Sequence, residues 1–389
     1  MKTSARSAIP HFAVMEILAA ANERRAQGQD VLSLCAGEPA AGASDVVRDR
    51  AIEILKSHDL GYTEPLGVPA LRAEIAAHYE RWYGATVDPG QVAITTGSSG
   101  GFMLAFMAAF DPGDRVALAR PGYPAYKNIL VALGIEVVEL DCGPETRYQP
   151  TVEQLQQAYY EGGLDGVIVA SPANPTGTML TPDELGRLAA WCKDFEVRLI
   201  SDEIYHGITY DPAVQTASAA QYLNDGVIVV NSFSKYWAMT GWRLGWLLLP
   251  TDLVAPAGAL AGNVALCPPA LSQLAGIAAF SERGYEDARV SVAKYAGSRR
   301  YVLDRLGDLG WDTVAPADGA FYIYANIAHS GLDSITWCAR LLDEAGVAVT
   351  PGTDFDNVHG SDWIRLSFAS APEVVAAAID RIIAWQKTL

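Results

Sequence analysis

Lys235 closes the run Asn231-Ser232-Phe233-Ser234-Lys235, and Arg243 follows eight residues later within Thr240-Gly241-Trp242-Arg243-Leu244-Gly245. A lysine amine condenses with an aldehyde to an imine, and hydroxyls beside a guanidinium suit a phosphate group. The plainer alternative is a surface Ser-Lys turn, with Arg243 in an ordinary ion pair.

Three further segments carry polar groups at the ends of apolar runs. Ser201-Asp202-Glu203-Ile204-Tyr205 follows the apolar residues 197–200. A carboxylate at the carboxyl end of a buried parallel strand stands where open α/β sheets bind ligands. Beside a pyridine nitrogen it would keep that nitrogen protonated and the ring electron-withdrawing; alternatively Asp202 is a helix cap. Ala173-Asn174-Pro175-Thr176-Gly177 follows another apolar run, residues 166–170. It reads either as a tight turn or as a loop presenting the Asn174 amide to a ring oxygen. Thr95-Thr96-Gly97-Ser98-Ser99-Gly100-Gly101 lies between a strand and a helix expected to begin near Gly101. Small residues there let backbone N–H groups approach a phosphate at the helix amino terminus. The segment is neither a P-loop nor a GxGxxG fingerprint.

These groups need a frame. Short apolar segments recur at residues 92–95, 115–119, 166–170, 198–201, 227–231 and 244–248. Helix-like stretches at 101–110, 123–133, 152–160 and 182–195 separate several of them. Strands buried on both faces and alternating with helices predict an α/β layer with a largely parallel sheet. Thr181-Pro182 with Glu184, and Thr151 with Gln154, mark helix starts as capping boxes. Beyond about residue 280 a charged helix (286–306), short strands (320–325, 345–350, 363–368) and a closing helix from Pro372 predict a smaller α+β domain. The expected division is an amino-terminal segment, 1–45, a large domain, 46–280, and a small carboxyl-terminal domain, 281–389.

In this order the motifs resemble the class I/II aminotransferases of the aspartate-aminotransferase superfamily, the pyridoxal-phosphate-dependent transferases of fold type I. The resemblance runs from Ala36-Gly37-Glu38-Pro39 to Ile364-Arg365-Leu366-Ser367-Phe368. It implies pyridoxal 5′-phosphate as cofactor, held as an imine by Lys235, which shuttles the substrate proton once displaced. It also implies that Asp202 pairs with the pyridine nitrogen, that Asn174 and Tyr205 bond the ring oxygen, and that Tyr123 stacks on the ring. Ser98, Ser99, Gly100, Ser232, Ser234 and Arg243 would surround the phosphate. Tyr62 would reach the phosphate of a neighbouring subunit, making a homodimer with shared sites. Arg365 would clamp the substrate α-carboxylate, with a backbone group of Gly37 and the Asn174 amide beside it. The amino-terminal segment would fold back onto the small domain. His206 is expected to be structural.

The implied reaction moves an amino group between an L-amino acid and a 2-oxo acid. A carbon–sulfur β-lyase on the same fold is the alternative, because fold does not settle reaction type. A pyridoxal-phosphate-binding regulator is the alternative of another class. In aspartate-using relatives a Ser/Thr-bearing amino-terminal segment meets the distal carboxylate. The matching stretch here is Ile9-Pro10-His11-Phe12-Ala13, which leans toward a neutral substrate such as valine or alanine, with pyruvate, over aspartate.

At 389 residues, more than one hydrophobic core is expected. The net charge of −17 argues against nucleic acid as a partner. Residues 9–25 read as an amphipathic helix, because Glu16 breaks the apolar stretch that would otherwise resemble a secretion signal. No membrane span and no metal site are expected. Five scattered cysteines without a CxxC pair suggest reduced thiols in a cytoplasmic protein.

Overall fold

A computed structural model describes residues 1–211 and 213–389. Twelve strands occur among the described residues: β1 (Leu32–Ser33), β2 (Val92–Thr95), β3 (Arg115–Arg120), β4 (Glu136–Asp141), β5 (Gly166–Ala170), β6 (Arg198–Asp202), β7 (Ile228–Ser232), β8 (Gly245–Leu248), β9 (Tyr322–Asn326), β10 (Val347–Ala348), β11 (Thr350–Pro351) and β12 (Trp363–Ser367). Seven of them form one sheet in the order β2-β8-β7-β6-β5-β3-β4. The runs with apolar side chains on both faces become its centre, and β7 and β8 are buried at every position. β3 to β7 are parallel, whereas β8 runs antiparallel to both β2 and β7. The reversal arises because the β7–β8 connection holds one 3₁₀ turn (Thr240–Trp242) and no crossover helix.

β4 was not expected from the sequence. Its exposed charges, Glu136, Glu139 and Asp141, interrupt the apolar pattern because it is an edge strand of the sheet. The helix expected from Gly101 begins four residues earlier, as Gly97–Ala109. Gly97 has φ +67°, a left-handed turn that the apolar pattern does not signal. Ser98, Ser99 and Gly100 therefore belong to its first turn. Both expected capping boxes are present, at Thr151/Gln154 and Thr181/Glu184.

β9, β11 and β12 form an antiparallel sheet in the order β11-β12-β9, with the helices Glu282–Leu303, Ser334–Ala345 and Pro372–Gln386 in the same part of the chain. The first of these starts earlier than expected because Ser281 caps it, its Oγ accepting from the Gly284 N–H at 3.2 Å. The strand expected at 345–350 splits in two: β10 pairs in parallel with β1, and β11 pairs with β12. The amino-terminal helix α1 (Ala13–Ala26) lies against the same region, with Arg24 bonded to the Leu342 carbonyl and paired with Asp343.

All five cysteines are free, and all but Cys267 are buried. Among the described residues no helix is long and apolar enough to cross a membrane.

Candidate active site

The carboxyl ends of β5, β6 and β7 open onto one chamber of about 370 Å³. The β7–β8 loop forms its floor. The Ser232 hydroxyl, wholly buried, donates to Ser234 Oγ at 2.8 Å or to the Leu244 carbonyl at 3.0 Å, and accepts from the Ser234 N–H at 3.0 Å. These bonds close the loop so that Ser234, Lys235 and Arg243 all face the chamber. Arg243 adopts φ +49° and donates from Nη1 to the Thr240 carbonyl at 2.8 Å. Its guanidinium lies against Gly97, where an added Cβ would come within 2.5 Å of Nη2. Only glycine satisfies both that approach and the left-handed turn. Ser98 and Ser99, in the first turn of the Gly97–Ala109 helix, stand at the same end of the chamber. Three hydroxyls, a guanidinium and a helix amino terminus make that end complementary to a dianion.

Lys235 Nζ donates to the Gly37 carbonyl at 2.5 Å and lies 5.8 Å from the centre of the Tyr205 ring. Burial, helped by the positive charges of Arg365 and Arg243 and opposed by Glu38 and Asp202, lowers the amine to about 8. Asp202, only 4% exposed, takes the Ile204 N–H at 3.0 Å on Oδ1 and the Tyr126 hydroxyl on Oδ2. Burial raises its carboxyl to about 6, while those two bonds and Lys235 pull the other way. A cation placed beside it would restore the carboxylate.

At the far end Arg365 is 4% exposed and its guanidinium is sandwiched between the rings of Tyr322, at 4.5 Å, and Phe355, at 4.7 Å. Nη1 donates to Asn174 Oδ1 at 2.9 Å and Nη2 to the Cys35 carbonyl at 2.5 Å, while Nε has no partner. A buried guanidinium N–H left unpaired is costly, which marks this end as an anion site. Tyr205 and Tyr322 touch hydroxyl to hydroxyl at 2.6 Å. Tyr123 lines the wall, edge-on to Tyr126 at 5.3 Å and stacked with Phe12 at 6.2 Å.

The chamber thus gathers Gly37, Ser98, Ser99, Tyr123, Asn174 and Asp202, together with Tyr205, Ser234, Lys235, Arg243 and Arg365. Three residues expected to hold the cofactor do not line it. Ser232 lies behind Ser234. Gly100 faces a separate apolar pocket of about 160 Å³ with Met103, Met107 and Val264. Tyr62 is 84% exposed. His206 is buried outside the chamber, 2.7 Å from the Tyr83 hydroxyl, and burial lowers it to about 3, so it stays neutral.

Sequence reasoning missed Tyr126, Tyr322 and the α1 wall. Val14, Met15 and Leu18 line the chamber, one turn beyond the stretch 9–13 in which substrate contacts were expected. Tyr126 had a signal, lying in the same Tyr-Pro-Ala-Tyr run as Tyr123. Tyr322 had none, because its neighbours are distant in sequence.

The sequence matches the family described as aminotransferase class I and II over residues 29–382. It is 51% identical over 384 residues to the valine–pyruvate aminotransferase of Mycobacterium tuberculosis, covering 99% of this chain and 98% of that protein. The crystal structure of an aminotransferase from Mycobacterium tuberculosis superposes with a TM-score of 0.97 at 50% identity, covering 100% of both chains. The aspartate aminotransferase from Thermus thermophilus with maleate gives 0.93 at 29% identity, again over 100% of both chains. The chain belongs to the class I and II aminotransferases. It is a transaminase with the fold type I architecture of that superfamily, acting on amino acids and 2-oxo acids.

Proposed function

We propose that this transaminase uses pyridoxal 5′-phosphate bound to Lys235 to move an amino group between neutral L-amino acids, taking it from valine to pyruvate to leave the branched 2-oxo acid and alanine, or the reverse. The observation that carries the cofactor reading is a buried amine of lowered basicity between a carboxylate, Asp202, and an arginine with an unpaired N–H, Arg365. The donor set fits the group. Ser98, Ser99, Ser234 and Arg243 would hold the phosphate, with Ser232 bracing Ser234 and the first-turn N–H groups near Gly100 adding positive potential. Asp202 would keep the pyridine nitrogen protonated, Asn174 and Tyr205 would bond the ring oxygen, and Tyr123 would cover the ring face.

Bound cofactor supplies an electron-withdrawing ring that stabilises negative charge at the substrate Cα. Arg365 grips the α-carboxylate through its planar fork, with Gly37 and Asn174 beside it, and so fixes which Cα bond faces Lys235. Lys235 Nζ, neutral at moderately alkaline pH, accepts the Cα proton. Val14, Met15 and Leu18 of α1 form an apolar part of the chamber wall, and Phe12 stacks on Tyr123 at 6.2 Å.

The substrate reading rests on charge. Lys235, Arg243 and Arg365 are the cationic side chains lining the chamber among the described residues, and each has a role above. A side-chain carboxylate would find the apolar wall of Val14, Met15 and Leu18. The valine–pyruvate specificity named for the Mycobacterium tuberculosis relative supports the same choice.

A homodimer completes the reading. Tyr62, Val264 and Leu266 are exposed large side chains at 84%, 63% and 48%, and the apolar pocket beside Gly100 shares Val264. A second copy seated there would cover them and bring its Tyr62 toward the open phosphate end. The reading further takes 1–45, 46–280 and 281–389 as amino-terminal segment, large domain and small domain, and places the enzyme in the cytoplasm, in keeping with its free thiols.

The test is a panel of amino donors against pyruvate and 2-oxoglutarate. With pyruvate as acceptor valine should exceed aspartate, with 2-oxoglutarate as acceptor alanine should exceed aspartate, and Lys235→Ala should lose both turnover and visible absorbance. Ammonia and pyruvate released from a cysteine-type substrate alone would instead identify a β-lyase.

A further inference from the structure

Tyr322, on β9, touches both ends of the chemistry, and the reading above gives it no task. Its ring face carries the Arg365 guanidinium at 4.5 Å. Its hydroxyl lies 2.6 Å from that of Tyr205, and either group can donate. A Cβ at Gly37 would fall 1.8 Å from the same hydroxyl, so the Gly37 backbone is packed directly against it. The side chain is almost fully buried.

We propose that Tyr322 is a positioning residue that ties the α-carboxylate clamp to the cofactor's ring oxygen, its ring holding Arg365 and its hydroxyl donating to Tyr205. The inference rests on the assignment of Tyr205 to that oxygen. A phenol has one proton to give. When Tyr205 donates to the ring oxygen, only its lone pairs remain for Tyr322, so Tyr322 must be the donor between them. Each donor in such a chain strengthens the next. Tyr322 thereby stabilises negative charge on the ring oxygen and weakens the hold of the Lys235-linked nitrogen on its proton. The Arg365 clamp, bearing on the same ring, is held in register with that linkage.

The charged groups facing Lys235 are Arg365, Glu38, Arg243 and Asp202, and Tyr322→Phe changes none of them. In cofactor-loaded enzyme, Tyr322→Phe should raise the midpoint of the visible absorbance titration by about half to one pH unit, the size of one hydrogen bond. Tyr205→Phe should raise it further, and the double variant should match Tyr205→Phe alone, because the effect runs through Tyr205. Propionate, a carboxylate without an amine, serves as the clamp probe by spectral perturbation. Its affinity should hold within about twofold in Tyr322→Phe, which keeps the ring, and fall about tenfold in Tyr322→Leu, which does not. An unmoved or lowered midpoint in Tyr322→Phe, additive shifts in the double variant, or unchanged propionate binding in Tyr322→Leu would overturn the proposal. Wild-type protein lacking any Lys235-dependent visible band would instead overturn the cofactor reading on which it rests.

Discussion

Lys235 would have to be neutral both to form an imine and to accept a proton from the substrate. An imine forms only from the free amine, and a solvent-exposed lysine is almost wholly protonated at neutral pH. Here burial, with Arg365 and Arg243 adding positive charge, lowers the amine to about 8. The neutral fraction of a base grows tenfold per pH unit below its pKa and levels off above it. Capture of pyridoxal 5′-phosphate by the cofactor-free protein, followed by stopped-flow absorbance from pH 6 to 10, should therefore accelerate up to about pH 8 and then flatten. A rate still climbing steeply near pH 10 would mean that Lys235 behaves as an ordinary surface lysine. Most residues of this site were legible in the sequence because each ends an apolar strand or sits in a short polar run. Tyr126 and Tyr322 were not, since an aromatic within an apolar pattern reads as core until its hydroxyl is seen to reach Asp202 or Tyr205.

α1 shows how an element can be read from a sequence while its position is not. The periodic pattern runs back to residue 9, yet the helix starts at Ala13, with Phe12 at the cap position and no side-chain acceptor of its own. The acceptor is Asp354, whose Oδ1 takes the Ala13 N–H at 3.0 Å from far along the chain. A cap of this kind is worth about 1 kcal/mol, and it sets where Val14, Met15 and Leu18 stand over the chamber. Asp354→Ala should loosen that wall. The expected result is a several-fold higher KM for the amino donor, with kcat and cofactor retention changed much less. Equal KM values for the two proteins would detach α1 from substrate binding. The Gly97–Ala109 helix repeats the lesson: a left-handed glycine against Arg243 moves its start, and with it Ser98 and Ser99.

At the scale of the whole molecule, the end of the chamber that holds Ser98, Ser99 and Arg243 is open. Arg243 and Ser99 are exposed, and so are Tyr62, Val264 and Leu266. Val264→Glu would place a charge in the apolar pocket beside Gly100 without disturbing the core. If the proposed dimer forms through this face, sedimentation should show dimers for the wild type and monomers for the variant, with cofactor lost more readily on dilution; an intact dimer in the variant would move the interface elsewhere. The sequence by itself determined the strands buried on both faces, the capped helices between them, and the chemical types at the ends of β5, β6 and β7, because burial period and cap chemistry are local. Only the tertiary structure decided that β8 turns antiparallel, that β4 is an edge, that Asp354 caps α1, and that Tyr322 joins Arg365 to Tyr205. Those facts depend on partners distant in sequence, whose approach leaves no periodic trace in the chain.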